Sequence, residues 1–215
     1  MVLPYFKKYG DSSGGSLNDI CETSRIASRK NSISVITLQE NHKIFSPEHL
    51  LEEIDRYFHE DCSCGLKSAT TIEELGKKLW DLQETTKGKA ILASKNEEKW
   101  DLETCNHWMR NLMGKNSFRG KRMEDAAIKK LKEQIWKYTI EKADEETDIS
   151  YGVDLVIKKS KDIIGGIQVK PDTFSHHKYG YVKKIQENVS YPVYDLIYDK
   201  DGNWKNYLSV ISNFL

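Results

Sequence analysis

The sequence predicts an α/β (α+β) chain, with a mixed sheet flanked by helices in its second half and a mainly helical first half. Three observations predict it. Between residues 46 and 113 apolar side chains recur at helical spacing behind serine and threonine caps. From residue 151 to 211, short apolar runs alternate with turn residues. One long amphipathic stretch, 120–138, separates the two patterns, so the second half reads helix, strand, strand, helix, strand, strand. The 215 residues divide accordingly into a helical region, 1–114, and a core, 115–215. The helical region carries little chemical information of its own.

In chain order, residues 10–20, rich in glycine and serine, predict a loop, and 31–39 a short strand. Ser46-Pro47-Glu48-His49 opens a helix through Leu50, Leu51, Ile54 and Phe58, with Ser46 as cap and Pro47 at the first helical position. Thr71-Ile72-Glu73-Glu74 has the spacing of a capping box, ahead of Leu75, Leu79 and Trp80. A further helix is expected over 95–113. In the long stretch, Met123, Ala127, Leu131, Ile135 and Tyr138 mark the buried stripe. Residues 141–148 read as an acidic linker. Tyr151–Lys158 and Ile163–Lys170 read as two strands around a Ser160-Lys161-Asp162 turn, the second stopped by Pro171. A helix is expected over 177–188, a strand over 191–198, a turn at Asp201-Gly202 and a returning strand over 204–211.

Composition narrows the function classes. Lysine plus arginine number 33, as do aspartate plus glutamate, so any affinity for a polyanion must come from local charge. No apolar run approaches the roughly 20 residues that span a bilayer, and the first residues lack a secretory signal's apolar stretch. The expected compartment is therefore the cytoplasm, with no membrane partner. Cys21, Cys62, Cys64 and Cys105 read as free thiols in a chain large enough to fold without staples. His59 near Cys62 and Cys64 has the wrong spacing for a zinc knuckle.

The chemistry concentrates in the first hairpin. Asp154 lies among Val153, Leu155 and Val156, where a carboxylate is unfavourable unless it is hydrogen-bonded, exposed or bound to a cation. Gln168 and Lys170 share one face of the next strand, and antiparallel pairing brings Asp154 towards them. An acid, an amide and an amine then meet at one sheet edge. Magnesium takes hard oxygen ligands and keeps several waters, so Asp154, the Gln168 side-chain oxygen and the Val169 carbonyl are candidate ligands. Lys170 could offset charge on a phosphate. The residues also allow a blander arrangement, with Asp154 a structural carboxylate and Gln168 and Lys170 the wet face of an ordinary hairpin. The Gly165-Gly166 pair would admit close approach of backbone or substrate.

These residues resemble the PD-(D/E)XK motif of restriction endonucleases, across roughly residues 117–200. Asp154 matches the family's first acid, Gln168 its second and Lys170 its lysine, while Glu124 matches a glutamate often supplied by the preceding helix. The run Gly166-Ile167-Gln168-Val169-Lys170-Pro171 further resembles MjaI-type enzymes. The resemblance implies a restriction-endonuclease-like core and a type II restriction endonuclease. Such an enzyme hydrolyses double-stranded DNA at a short sequence with Mg2+, usually as a homodimer. Catalytic roles then fall to Asp154, Gln168, Lys170 and Glu124, and metal ligation to Asp154, Gln168, Val169 and Glu124. Two positions depart from the motif: Val153 stands where proline is usual, and Gln168 where an acid is usual. A repair or phage-type nuclease of the same fold, and a non-catalytic DNA-binding protein, are the alternatives.

Local charge fits a polyanion. Between Lys115 and Tyr138 eight basic residues face three acidic ones. Arg119, Lys121 and Arg122 are candidate phosphate ligands near the helix start. Ser175, His176, His177 and Lys178, beyond the motif, are further candidates for DNA contact.

Overall fold

A computed structural model describes residues 2–10, 14–24, 42–59, 71–173 and 183–215, with positions 35, 38 and 39. The chain forms two compact units, Met1–Arg119 and Gly120–Leu215.

The first unit is helical: α1 (Pro4–Tyr9), α2 (Ser16–Ser24), α3 (Pro47–His59), α4 (Ile72–Leu82), α5 (Thr86–Ser94) and α6 (Leu102–Asn111). A wider π-helical turn, Leu112–Asn116, leads on to α7 (Ser117–Gln134). The predicted caps are present. Ser46 Oγ accepts the His49 N–H at 3.1 Å. Thr71 and Glu74 exchange side chain-to-backbone bonds as a capping box. The core gathers Tyr5, Leu17, Leu50, Ile54, Leu75, Leu79, Trp108 and Met109. Gly76 lets α4 approach α6, because a Cβ there would lie 2.9 Å from the Asn106 Cα. Both described cysteines, Cys21 and Cys105, are buried. Burial pushes the Cys105 pKa up to about 12, which leaves that thiol protonated and inert.

The second unit adds β1 (Thr139–Lys142), α8 (Glu145–Tyr151), β2 (Leu155–Lys159), β3 (Asp162–Pro171), β4 (Val193–Tyr198) and α9 (Tyr207–Ile211). Its sheet runs β1-β2-β3-β4. β1–β2 and β2–β3 are antiparallel and β3–β4 is parallel, so the sheet is mixed. The α7 stripe of Ala127 and Leu131, with Ile135 just beyond the helix, packs with Leu155, Ile157, Ile167, Val169 and Leu196 into one core.

Several elements differ from the sequence expectations. Val35, Leu38 and Gln39 are helical, so the strand over 31–39 fails where it is described; the rest of that segment lies outside the described residues. Residues 95–101 are not helical: Asp101 caps α6 by accepting the Thr104 N–H at 2.7 Å. The unread α5 precedes them, capped by Thr85. The supposed acidic linker, 141–148, contains the second half of β1 and the first four residues of α8. Asp144 caps α8, and Gly152 ends it in the left-handed region (φ 63°, ψ 37°). β2 therefore starts at Leu155, four residues later than expected. Only residues 183–186 of the 177–188 helix are described as helical.

The returning strand over 204–211 is also absent. Trp204 makes a single bridge to Tyr198 before the chain turns into α9. Asn206 explains why. Its Oδ1 accepts the Ile197 N–H at 2.9 Å, and its Nδ2 donates to the Asp195 carbonyl at 2.7 Å. One side chain thus fills hydrogen-bond positions that a fifth strand would take and covers part of the β4 edge. The glycine pair serves packing, not substrate. A Cβ at Gly165 would meet Phe214 at 2.7 Å, and one at Gly166 would meet Val153 at 2.9 Å.

Candidate active site

Asp154 sits in the joint between α8 and β2. Gly152 reverses the chain there, and backbone bonds fix the joint on both sides. The Asp154 N–H donates to the Ile167 carbonyl at 2.9 Å, and its carbonyl accepts the Ala143 N–H at 3.0 Å. The pairing of Leu155 with Ile167 then leaves Asp154 beside the Gln168–Lys170 end of β3. Its Oδ2 accepts the Val169 N–H at 2.6 Å and lies 3.7 Å from Lys170 Nζ. The Asp154 side chain is only 10% exposed, against 23% for Lys170. Burial raises the Asp154 pKa, while Lys170 and the Val169 N–H work in the opposite direction.

Glu124 approaches from α7. It lies three residues before Ala127 and seven before Leu131, on the stripe that covers the sheet. Burial, and then the negative charge of Asp154, push its carboxyl up to about 7; Asp148 adds to the rise, and Lys142 and Lys170 oppose it. Glu124, Asp154 and Lys170 thus share one electrostatic neighbourhood, as the motif requires.

Gln168 is 3% exposed. Its Oε1 faces the Nε2 of Gln186 at 3.4 Å. Gln186, also buried, reaches the Gly152 carbonyl at 3.4 Å and accepts from Lys183 Nζ at 2.9 Å. Lys183 pairs with Asp195 at 3.0 Å, and Asp195 stands opposite Gln168 in the β3–β4 register.

The basic residues fare unevenly. Lys121 is bound to Asp125 at 3.3 Å, and Asp125 also meets Lys142 at 3.6 Å, so part of this charge is neutralised within the fold. Arg122 is exposed and Arg119 half-buried. Ser175, His176, His177 and Lys178 lie outside the described residues.

Sequence reasoning missed Lys142 and Asp148, which sit in the misread linker, and the trio Lys183, Gln186 and Asp195. The available signal was the Asp144 cap on Thr147 followed by the Gly152 stop, which the acidic run obscured. Nothing local marked Gln186, because its role depends on a contact with a residue 18 positions away.

A helix laid on a mixed sheet, with an acid from that helix, an acid at the hairpin entrance and a lysine on the next strand, defines a PD-(D/E)XK-like nuclease. Residues 17–203 match the family model described as MjaI restriction endonuclease, and the chain belongs to that family of DNA-cleaving enzymes. No curated protein and no solved structure matches the chain. Restriction endonucleases typically use a divalent metal. Among the described residues, no three His, Cys, Asp or Glu side chains are grouped to hold one by themselves. No helix among them is long and apolar enough to cross a membrane.

Proposed function

We propose that this protein is a type II restriction endonuclease that uses Mg2+ to hydrolyse phosphodiester bonds at a short sequence in double-stranded DNA. The observation that carries the reading is the pair of partly buried carboxyls, Asp154 and Glu124. Each has its charge disfavoured by burial, and Glu124 feels Asp154 as a like charge. Such a pair is relieved by a cation. Two carboxylates without a third suit magnesium, which binds through one or two acids and fills its remaining positions with water and substrate phosphate. Asp154 and Glu124 would hold the ion, with the Val169 carbonyl as a further oxygen.

Bound there, magnesium supplies a Lewis acid to the phosphate and lowers the pKa of its water. The chain's own residues do the rest. The Val169 N–H holds Asp154 Oδ2, so the carboxylate is preset rather than mobile. Lys170 places a positive charge beside that carboxylate, where it offsets charge developing on the phosphoryl oxygens. Arg122, on the exposed side of α7, would contact the DNA backbone with Arg119 and Lys121. Ser175, His176, His177 and Lys178 would extend that contact, and a homodimer would match a two-fold symmetric site.

The test is digestion of a DNA of known sequence, with and without Mg2+. A fixed set of discrete fragments that needs the metal is the expected result. A smear would replace restriction by general nuclease action, and intact DNA under all conditions would reject the enzyme.

A further inference from the structure

We propose that Lys183 and Gln186 are positioning residues that hold Gln168 as a hydrogen-bond donor to substrate phosphate, and that Gln168 does not ligate the metal. The inference rests on the nuclease reading above and deepens it.

The argument is one of hydrogen-bond polarity. An amide side chain is ambiguous until its neighbours decide which end is oxygen. Here both neighbours of Gln186 are of one sense only. Lys183 Nζ can only donate, so the atom it meets at 2.9 Å is the Gln186 oxygen. The Gly152 carbonyl can only accept, so the atom it meets at 3.4 Å is the Gln186 nitrogen. That nitrogen also faces Gln168 at 3.4 Å, and a donor there requires the Gln168 oxygen. The oxygen a metal would need is thus turned towards Gln186. The Gln168 Nε2 makes no hydrogen bond among the described residues, and residue 168 shares its strand face with Lys170, one step beyond the Leu155–Ile167 pair and so level with Asp154.

The chain of bonds is anchored at its far end. Lys183 is held by the Asp195 carboxylate at 3.0 Å, and the Asp195 side chain is only 9% exposed. Lys183 also lies 3.5 Å from the Val193 carbonyl. The ion pair, with its acid buried and its lysine partly exposed, ties the far end of the chain of bonds to β4. The arrangement explains why an amide can stand where the family usually has an acid: a carboxylate at 168 would accept the same Gln186 bond but add negative charge near Asp154, whereas the amide keeps that bond and adds an N–H donor.

The test uses the full chain, with Gln186→Met, Gln168→Met and Gln168→Glu beside the wild type. Two quantities are read: Mn2+ affinity by calorimetry on the protein alone, and single-turnover cleavage of a cognate duplex. Loss of an outer partner or of a preset donor lowers the cleavage rate by about 10- to 100-fold, so Gln186→Met and Gln168→Met are expected to fall in that range. Their Mn2+ affinity is expected to stay near wild type, and Gln168→Glu is expected to cleave poorly.

A Gln168→Met protein that loses about tenfold or more in Mn2+ affinity overturns the proposal, because that is what removing a ligand does. So does a Gln168→Glu protein that binds Mn2+ more tightly and cleaves as fast as wild type, or a Gln186→Met protein with unchanged cleavage. Should Gln186→Met fail to fold, Gln186→Glu keeps an acceptor for Lys183 and replaces the donor to Gln168 by a negative charge, and the same expectations apply. A wild type that never cleaves removes the nuclease reading itself, and this inference with it.

Discussion

Replacing Glu124 by glutamine should stabilise the metal-free protein while destroying its activity. In the fold the Glu124 carboxyl is carried from 4.5 to about 7, chiefly by burial and then by Asp154. A rise of that size makes the ionised form about 3 kcal/mol less favourable in the folded chain than in the unfolded one. Between pH 4.5 and about 7 the folded chain keeps a proton that the unfolded chain has released. Stability therefore falls as pH rises through that window and stays low above it. Glutamine keeps the shape and has no charge to lose. In EDTA, Glu124→Gln should match the wild type at pH 4.5 and exceed it at about pH 8 by a gap approaching 3 kcal/mol. Urea unfolding at the two pH values reads the difference directly, since the other groups titrate in both proteins. A gap that is equal at both pH values, or a less stable variant at high pH, would refute the idea that burial and the Asp154 charge disfavour the ionised Glu124.

Four other outcomes follow from the same geometry. Lys170→Ala should lower the cleavage rate about 10²- to 10³-fold with little change in duplex affinity, read by single-turnover kinetics. Metal saturation at fixed Mg2+ should improve as pH rises through about 7, because the cation must displace the Glu124 proton; calorimetry should show proton release in that range. Asn206→Ala removes the clip on β4 and should destabilise the protein by about 1–3 kcal/mol in urea, by leaving the Ile197 N–H and Asp195 carbonyl without their partner. Leu131→Ala opens a cavity between α7 and the sheet and should cost about 2–5 kcal/mol in the same assay.

The closeness of Asp154 and Lys170 was legible because it is written in short-range pattern. Asp154 stands just before β2, and Gln168 and Lys170 lie on β3, so a hairpin closed by a tight turn brings them together, whereas Glu124 was named through the family resemblance. Caps at Ser46 and Thr71 were legible for the same reason. Illegible were the features decided by distant partners. Trp204–Ile211 alternates like a strand, but the Asn206 side chain occupies the β4 edge and the segment coils into α9. Val153 and Phe214 fill the space beside Gly166 and Gly165, which sequence alone leaves open to substrate. The acidic run at 141–148 hid β1 and α8 because charge masked both the cap at Asp144 and the buried Ile140. Val35, Leu38 and Gln39 lie in a β-branched stretch that reads as strand, yet are helical, a case of tertiary context overriding local propensity.

The most direct test pairs cleavage with binding in Asp154→Asn. The substitution keeps the shape and the Val169 hydrogen bond but removes the charge that a cation needs. With Mg2+ present, the variant is expected to bind the duplex about as the wild type does and to leave it uncut. Cleavage by Asp154→Asn at the wild-type rate would contradict the assignment of the chemistry to this corner of the sheet.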